Sequence, residues 1–128
     1  MSRPRAFLLD SHSLLWLLDG NPRLSSRHRH RLDGAEAVVV SAASIWELAI
    51  KRALGRLTTP PDFVAIIEAS SLVSLPVRME HAELAGSLPL HHRDPFDRML
   101  VAQAMLEGLV LVTADPEMQL YGVPLLTV

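Results

Sequence analysis

Cysteine is absent from this sequence, so neither a disulfide framework nor a thiolate metal site can be built. No glycine-rich loop follows any of its apolar runs, which removes the usual phosphate-cradling nucleotide motifs. None of those runs approaches the roughly 20 apolar residues that a membrane span requires. The short apolar stretch after Met1–Arg5 stops at Asp10, too early for a signal-peptide core. A cytoplasmic protein with no membrane association is therefore expected. Positive charge is scarce too. A net charge of −2 excludes a generally basic nucleic-acid binder steered by overall charge, but leaves room for a local basic strip. Lys51 is the only lysine, the other positive residues being arginine. What is present is apolar surface: 49% of the 128 residues are hydrophobic, enough for one domain over residues 1–128 with a real core.

Short apolar strands alternate with helical patterns. Ala6–Leu9 reads as a buried strand, and Ser13–Leu18 is apolar at helical spacing before the turn at Asp19-Gly20-Asn21-Pro22. Arg23–Leu32 reads as a polar helix and Ala37–Val40 as a second, β-branched strand of the continuous kind found in parallel sheets. Ser44-Ile45-Trp46-Glu47 has the spacing of a capping box, predicting a helix from there to Leu54. A helix over Asp62–Ala69, a strand over Leu72–Leu75 and a short helix over Arg78–Ala85 follow. Asp94-Pro95-Phe96-Asp97 is a helix start, with an N-cap Asp, a proline at the first position and an acid in the first turn. That helix runs to about Glu107. Leu109–Val112 is a fourth strand, Asp115-Pro116 opens a helical turn, and Val123–Leu126 is a small fifth strand. This order predicts an α/β fold of three layers, α/β/α, around a parallel sheet of five strands.

Four acids stand apart from the surface ones. Asp10 ends the first strand, Glu47 falls in the first turn after the second, Asp97 in the first turn of the helix before the fourth, and Asp115 just beyond the fourth. In an open parallel sheet the strands' carboxyl ends share the edge where ligands bind. Asp10, Glu47 and Asp115 meet there by topology, and Asp97 joins them only if its helix starts at the same edge. Two carboxylates about 5 Å apart repel by roughly 3 kcal/mol at an effective dielectric of 20, so such a group calls for protonation or a cation. A hard, oxygen-loving ion such as Mg²⁺ or Mn²⁺ suits it, and such ions favour phosphodiester hydrolysis.

The segments around these acids carry a resemblance. Leu9-Asp10-Ser11-His12-Ser13-Leu14-Leu15-Trp16 resembles the opening of PIN domains of the VapC type. Ser41–Lys51, which includes Ser44-Ile45-Trp46-Glu47-Leu48-Ala49, is similar to that family's second motif. His91–Ala104, with Asp94-Pro95-Phe96-Asp97-Arg98 inside it, is similar to the third, and Val112-Thr113-Ala114-Asp115 to the fourth. The similarity runs on to Tyr121-Gly122-Val123-Pro124, so it covers nearly the whole chain. It implies an endoribonuclease of the toxin–antitoxin kind, with Asp10, Glu47, Asp97 and Asp115 as the catalytic, Mg²⁺- or Mn²⁺-binding acids. It also implies an RNA substrate, a homodimer and a VapB-type antitoxin whose tail covers the site. The competing reading from another class is a PIN-like module that binds RNA or protein without cutting.

Asp94 is foremost an N-cap, with a supporting role at the metal second, and Thr113 and Ser44 are candidates for the same support. His12, His91 and His92 flank the motifs and read as packing, capping or RNA-facing groups rather than catalysts. Arg23, Arg27 and Arg31 recur every four residues and form a candidate phosphate-tracking strip on one helix face. The exclusions are firmer. A phosphoacceptor receiver needs a lysine near its last strand, and Lys51 is mid-chain. A haloacid-dehalogenase-type phosphatase needs a second Asp where His12 stands.

Overall fold

The computed structural model describes residues 5–128; the leading segment Met1–Pro4, read above as running into the first strand, lies outside the described residues. Five strands form one all-parallel sheet: β1 (Ala6–Leu9), β2 (Ala37–Ser41), β3 (Val73–Leu75), β4 (Val110–Thr113) and β5 (Leu125–Thr127). Their order is β3-β2-β1-β4-β5, with Phe7 paired to Val38 on one side and to Val110 on the other. The central strand is thus the first in the chain. Side chains alternate along it. Phe7 and Leu9 enter one core with Val40, Val110 and Val112, while Leu8 enters the other with Val39 and Leu111. Both faces are covered, which is why these strands are apolar runs rather than alternating patterns.

Helices α1 (Ser11–Asp19), α2 (Ser26–Asp33), α3 (Ala42–Ala53) and α4 (Phe63–Ala69) cover the first face, through Leu14, Leu32, Leu48 and Ile67 among others. Helices α5 (Met79–Ser87) and α6 (Pro95–Glu107) cover the second through Ala85, Leu100, Val101 and Ala104. Among the described residues no helix is long and apolar enough to cross a membrane. Gly108, at φ +66°, stops α6 in the left-handed region and releases the chain into β4.

Three helix starts differ from the sequence expectation, the first being α1, which begins at Ser11 on its Asp10 cap rather than at Ser13. Helix α3 begins at Ala42, not after Ser44, because Ser41 is both the last residue of β2 and the N-cap, its hydroxyl accepting the Ala43 N–H at 3.0 Å. Glu47 therefore sits in the second turn, and Ser44 is inside the helix. Helix α2 begins at Ser26 with Ser25 as its cap, so Arg23 precedes it. A serine oxygen can accept the orphan N–H groups of a first turn, and an arginine cannot.

Helices α5 and α6 pack as an antiparallel hairpin. At one end Arg98, 8% exposed, donates to the carbonyls of Ala85, Leu88, Pro89 and His92. At the other, the buried His81 meets Gln103 and Glu107. The hairpin returns the start of α6 to the carboxyl edge of the sheet, meeting the condition on Asp97.

Candidate active site

A cleft of about 320 Å³ opens at that edge, lined by Asp10, Ser11, Glu47, Asp94, Asp97 and Asp115 together with His12, Lys51, Thr113 and Ala114. It lies beyond the ends of β1 and β4. There the chain leaves the sheet in opposite directions, the crevice that open α/β sheets use for ligands. All four acids singled out from the sequence are brought together here, and Asp94 joins them.

Each is held by local structure. Asp10 caps α1, one oxygen accepting the Ser13 N–H at 2.8 Å, and it is 7% exposed. Glu47, 9% exposed, accepts the Ser11 hydroxyl on Oε1, and its Oε2 lies 3.6 Å from Lys51 Nζ. Asp94 caps α6, one oxygen accepting the N–H groups of both Phe96 and Asp97, and the residue lines the cleft. Asp115 caps the 3-10 segment Pro116–Tyr121 through the Glu117 N–H, and Thr113 Oγ1 accepts the Asp115 N–H at 3.1 Å. Ser44 does not line the cleft. It is buried, and its hydroxyl has no partner among the described residues.

Asp97 carries the electrostatic strain. Burial raises its carboxyl, the Asp94 charge raises it further, His92 partly offsets this, and Glu47 and Asp10 add to it. The result is a pKa of about 7 against an ordinary 3.8. A cation in the cleft would favour the ionised form of a carboxyl so placed. The donors are oxygens of carboxylates, several of them without a protein partner, so the residues fit a hard divalent ion such as Mg²⁺ or Mn²⁺.

The sequence reading gave no site role to Ser11 or Lys51, and it took His92 for a packing, capping or RNA-facing group. Ser11 anchors Glu47, Lys51 follows Glu47 by one helical turn, and His92 bridges two acids. His92 Nε2 lies 2.8 Å from Asp115 Oδ2 and 3.4 Å from Asp97 Oδ2. Its Nδ1 accepts the Asp94 N–H at 3.1 Å, which places the proton on Nε2 and makes His92 a donor to the carboxylates. Burial lowers the His92 pKa, but the Asp115 hydrogen bond and the charges of Asp97, Asp115 and Asp94 reverse this, and the net shift is upward. Ligating atoms of His92, Asp115 and Glu117 all lie within 4.8 Å of one another. The Asp94 N–H directed at Nδ1 nevertheless argues against His92 as a metal ligand, because Nε2 would have to give up its proton. Only Lys51 had a signal in the sequence, its i,i+4 spacing from Glu47. His12 stacks on Trp16 and His91 packs edge-on against Tyr121.

The arginine strip is not at the cleft. Arg23 stacks over Trp16 and Arg31 over the ring of Phe7 near the start of β1. Between them Arg29 binds the carbonyls of Trp16 and Asn21, which ties α2 to the far end of α1. Nine helical residues, about 13 Å, separate that end from Asp10.

The family model of the PIN domain matches residues 7–123. No curated protein sequence matches this chain significantly. Among solved structures, VapBC2 of Rickettsia felis bound to a promoter DNA fragment is similar at a TM-score of 0.72 and 14% identity, over 95% of this chain and 98% of that one. DNA-bound VapBC of Salmonella typhimurium is similar at a TM-score of 0.68 and 19% identity, over 96% and 98%. FitAcB of Neisseria gonorrhoeae gives a TM-score of 0.65 at 18% identity, over 94% and 96%.

Proposed function

Because this chain belongs to the PIN-domain family, we propose that it is a metal-dependent endoribonuclease of the VapC toxin type, held in check by a cognate VapB-type antitoxin. In this reading one PIN domain spans residues 1–128 and works in the cytoplasm as a homodimer. Asp10, Glu47, Asp97 and Asp115 are its catalytic residues and hold Mg²⁺ or Mn²⁺. The observation that carries it is the convergence of acids from four separate segments on one cleft, where burial and then the neighbouring charges lift Asp97 to a pKa of about 7. Supporting it, the similar structures are VapBC and FitAcB assemblies.

When bound, the ion supplies Lewis acidity, activating water and offsetting charge on the scissile phosphate. The chain's own residues supply position. Ser11 fixes one oxygen of Glu47 and leaves the other in the cleft. Asp10 keeps one oxygen for its helix cap and offers the second. Asp97, with no backbone donor on its carboxylate among the described residues, is the acid with most freedom to ligate. Asp115 has both oxygens engaged, one by the Glu117 N–H and one by His92, so of the four acids its hold on the ion would be the most constrained. Thr113 supports it through the Asp115 N–H. Arg23, Arg27 and Arg31 do not line the cleft, so in this reading their RNA contacts are to nucleotides flanking the scissile one.

The test is cleavage of a mixed RNA pool by antitoxin-free protein in Mg²⁺, in Mn²⁺ and in EDTA, with Asp97→Asn as the control for contaminating nuclease. Metal-dependent cutting lost in the variant is expected. A folded, metal-binding protein that cuts no RNA would leave a binding-only PIN scaffold.

A further inference from the structure

A cleft lined by five carboxylates repels the polyanion it is proposed to cut. Metal ions relieve part of this, and a positive side chain pointed at the phosphate would relieve more. Arginine does not supply it: Arg29 and Arg98 are engaged with backbone carbonyls, Arg23 lies over Trp16 of α1 and Arg31 over Phe7 of β1, and among the described residues no arginine lines the cleft. Among the described residues the one Lys or Arg lining the cleft is Lys51, which is also the single lysine of the chain.

Lys51 has little else to do. Its ammonium stands 3.6 Å from Glu47 Oε2, beyond the 2.7–2.9 Å of a charge-assisted hydrogen bond, and it makes no hydrogen bond among the described residues. Glu47 does not depend on it for position, because the Ser11 hydroxyl already holds Oε1. The side chain is 35% exposed, so its three donors reach the open mouth of the cleft. An i,i+4 pair on a helix surface would place an acid and a base together for a few tenths of a kcal/mol. Here the pair faces the acids instead of open solvent.

We propose that Lys51 is the phosphate-binding cation of the cleft, its ammonium taking a non-bridging oxygen of an RNA phosphate that lies over Asp10, Glu47 and Asp97. This rests on the nuclease reading and adds to it the residue that receives the substrate's charge.

The single lysine makes the test direct. Reductive methylation with ¹³C-formaldehyde labels only Lys51 and the terminal amine, so the Lys51 methyl resonance can be followed as a short mixed-sequence single-stranded RNA is added in Ca²⁺, which slows turnover. A shift of that resonance on RNA addition is expected. Fluorescence anisotropy with the same RNA then compares wild type, Lys51→Arg and Lys51→Met over a range of salt. Lys51→Met is expected to bind about tenfold more weakly, with the log–log salt slope reduced by about 0.7, and Lys51→Arg to keep most of both. Mg²⁺ affinity without RNA should be unchanged or slightly tighter in Lys51→Met, since a cation beside the ligands has gone. The proposal is overturned if Lys51→Met keeps the wild-type RNA affinity and salt slope, or if its only effect is weaker Mg²⁺ binding, the mark of a mere prop for Glu47. If wild type neither binds nor cuts RNA, the nuclease reading itself falls, a result distinct from the first two.

Discussion

Replacing Asp97 by Asn should make the metal-free protein more stable while abolishing its activity. A carboxyl raised from 3.8 to about 7 opposes folding by about 4 kcal/mol once the pH is well above 7. Asp97 is 24% exposed, and solvent screening reduces this to about 2 kcal/mol. Asparagine keeps the shape and removes the charge, so in EDTA at pH 8 the variant should melt about 5–10 °C higher. The sign follows from the direction of the shift. The contribution of a raised carboxyl is fully present below its ordinary value near 4 and is lost as pH rises through about 7. The gap between variant and wild type should therefore open across that window and close toward its acid end. Saturating Mg²⁺ should narrow or invert it, because a ligand at a hundredfold its Kd adds about 2.7 kcal/mol to the wild type and the variant has lost a ligand. Thermal melts of both proteins, with and without Mg²⁺, along a pH series give all of these numbers. An Asn variant less stable than wild type in EDTA at pH 8 would refute the reasoning, since burial and neighbouring charge would then not be opposing ionised Asp97 in the free protein.

Two further perturbations address the surroundings of the site. Arg98→Met leaves the carbonyls of Ala85, Leu88, Pro89 and His92 without their donor and should cost at least about 3 kcal/mol. Denaturant titration measures the loss, and hydrogen exchange should accelerate first over residues 88–94. Ser44→Ala removes a buried hydroxyl that has no partner among the described residues, so stability should hold or rise by up to about 1 kcal/mol. Unchanged Mg²⁺ affinity by calorimetry would confirm that Ser44 does not support the cleft, and a clear drop would return it there.

Much of this fold could be read in the chain because parallel strands buried on both faces are continuous apolar runs, and Ala6–Leu9, Ala37–Val40 and Leu109–Val112 are bounded by clear turns. Asp94 and Pro95 marked the start of α6 for a local reason, the capping of N–H groups, and local reasons survive in sequence. Where two local patterns competed, the reading slipped. Ser44 and Glu47 have capping-box spacing, yet Ser41 already sits at the strand end and takes the cap. The regular spacing of Arg23, Arg27 and Arg31 likewise crosses the start of α2. What no local pattern carries is partnership across the fold. His92 meets Asp115 because Arg98 and Tyr121 hold its loop, the Tyr121 hydroxyl accepting the His92 N–H at 2.9 Å. Lys51 gained meaning only when the fold showed it as the one Lys or Arg lining the cleft among the described residues.

The strand order has a consequence for when a newly made chain becomes dangerous. The central strand is synthesised first, yet one of its two neighbours, β4, begins only at Val110, and Asp115 follows later still. With residues leaving the ribosome at about 5–20 per second, the first four strands' worth of chain emerges over several seconds without a finished cleft. Every truncated or stalled product ending before β4 lacks one wall of the site and its last acid. A protein proposed to destroy RNA is thereby harmless to the message that encodes it until the codons for β4 and Asp115 have been read.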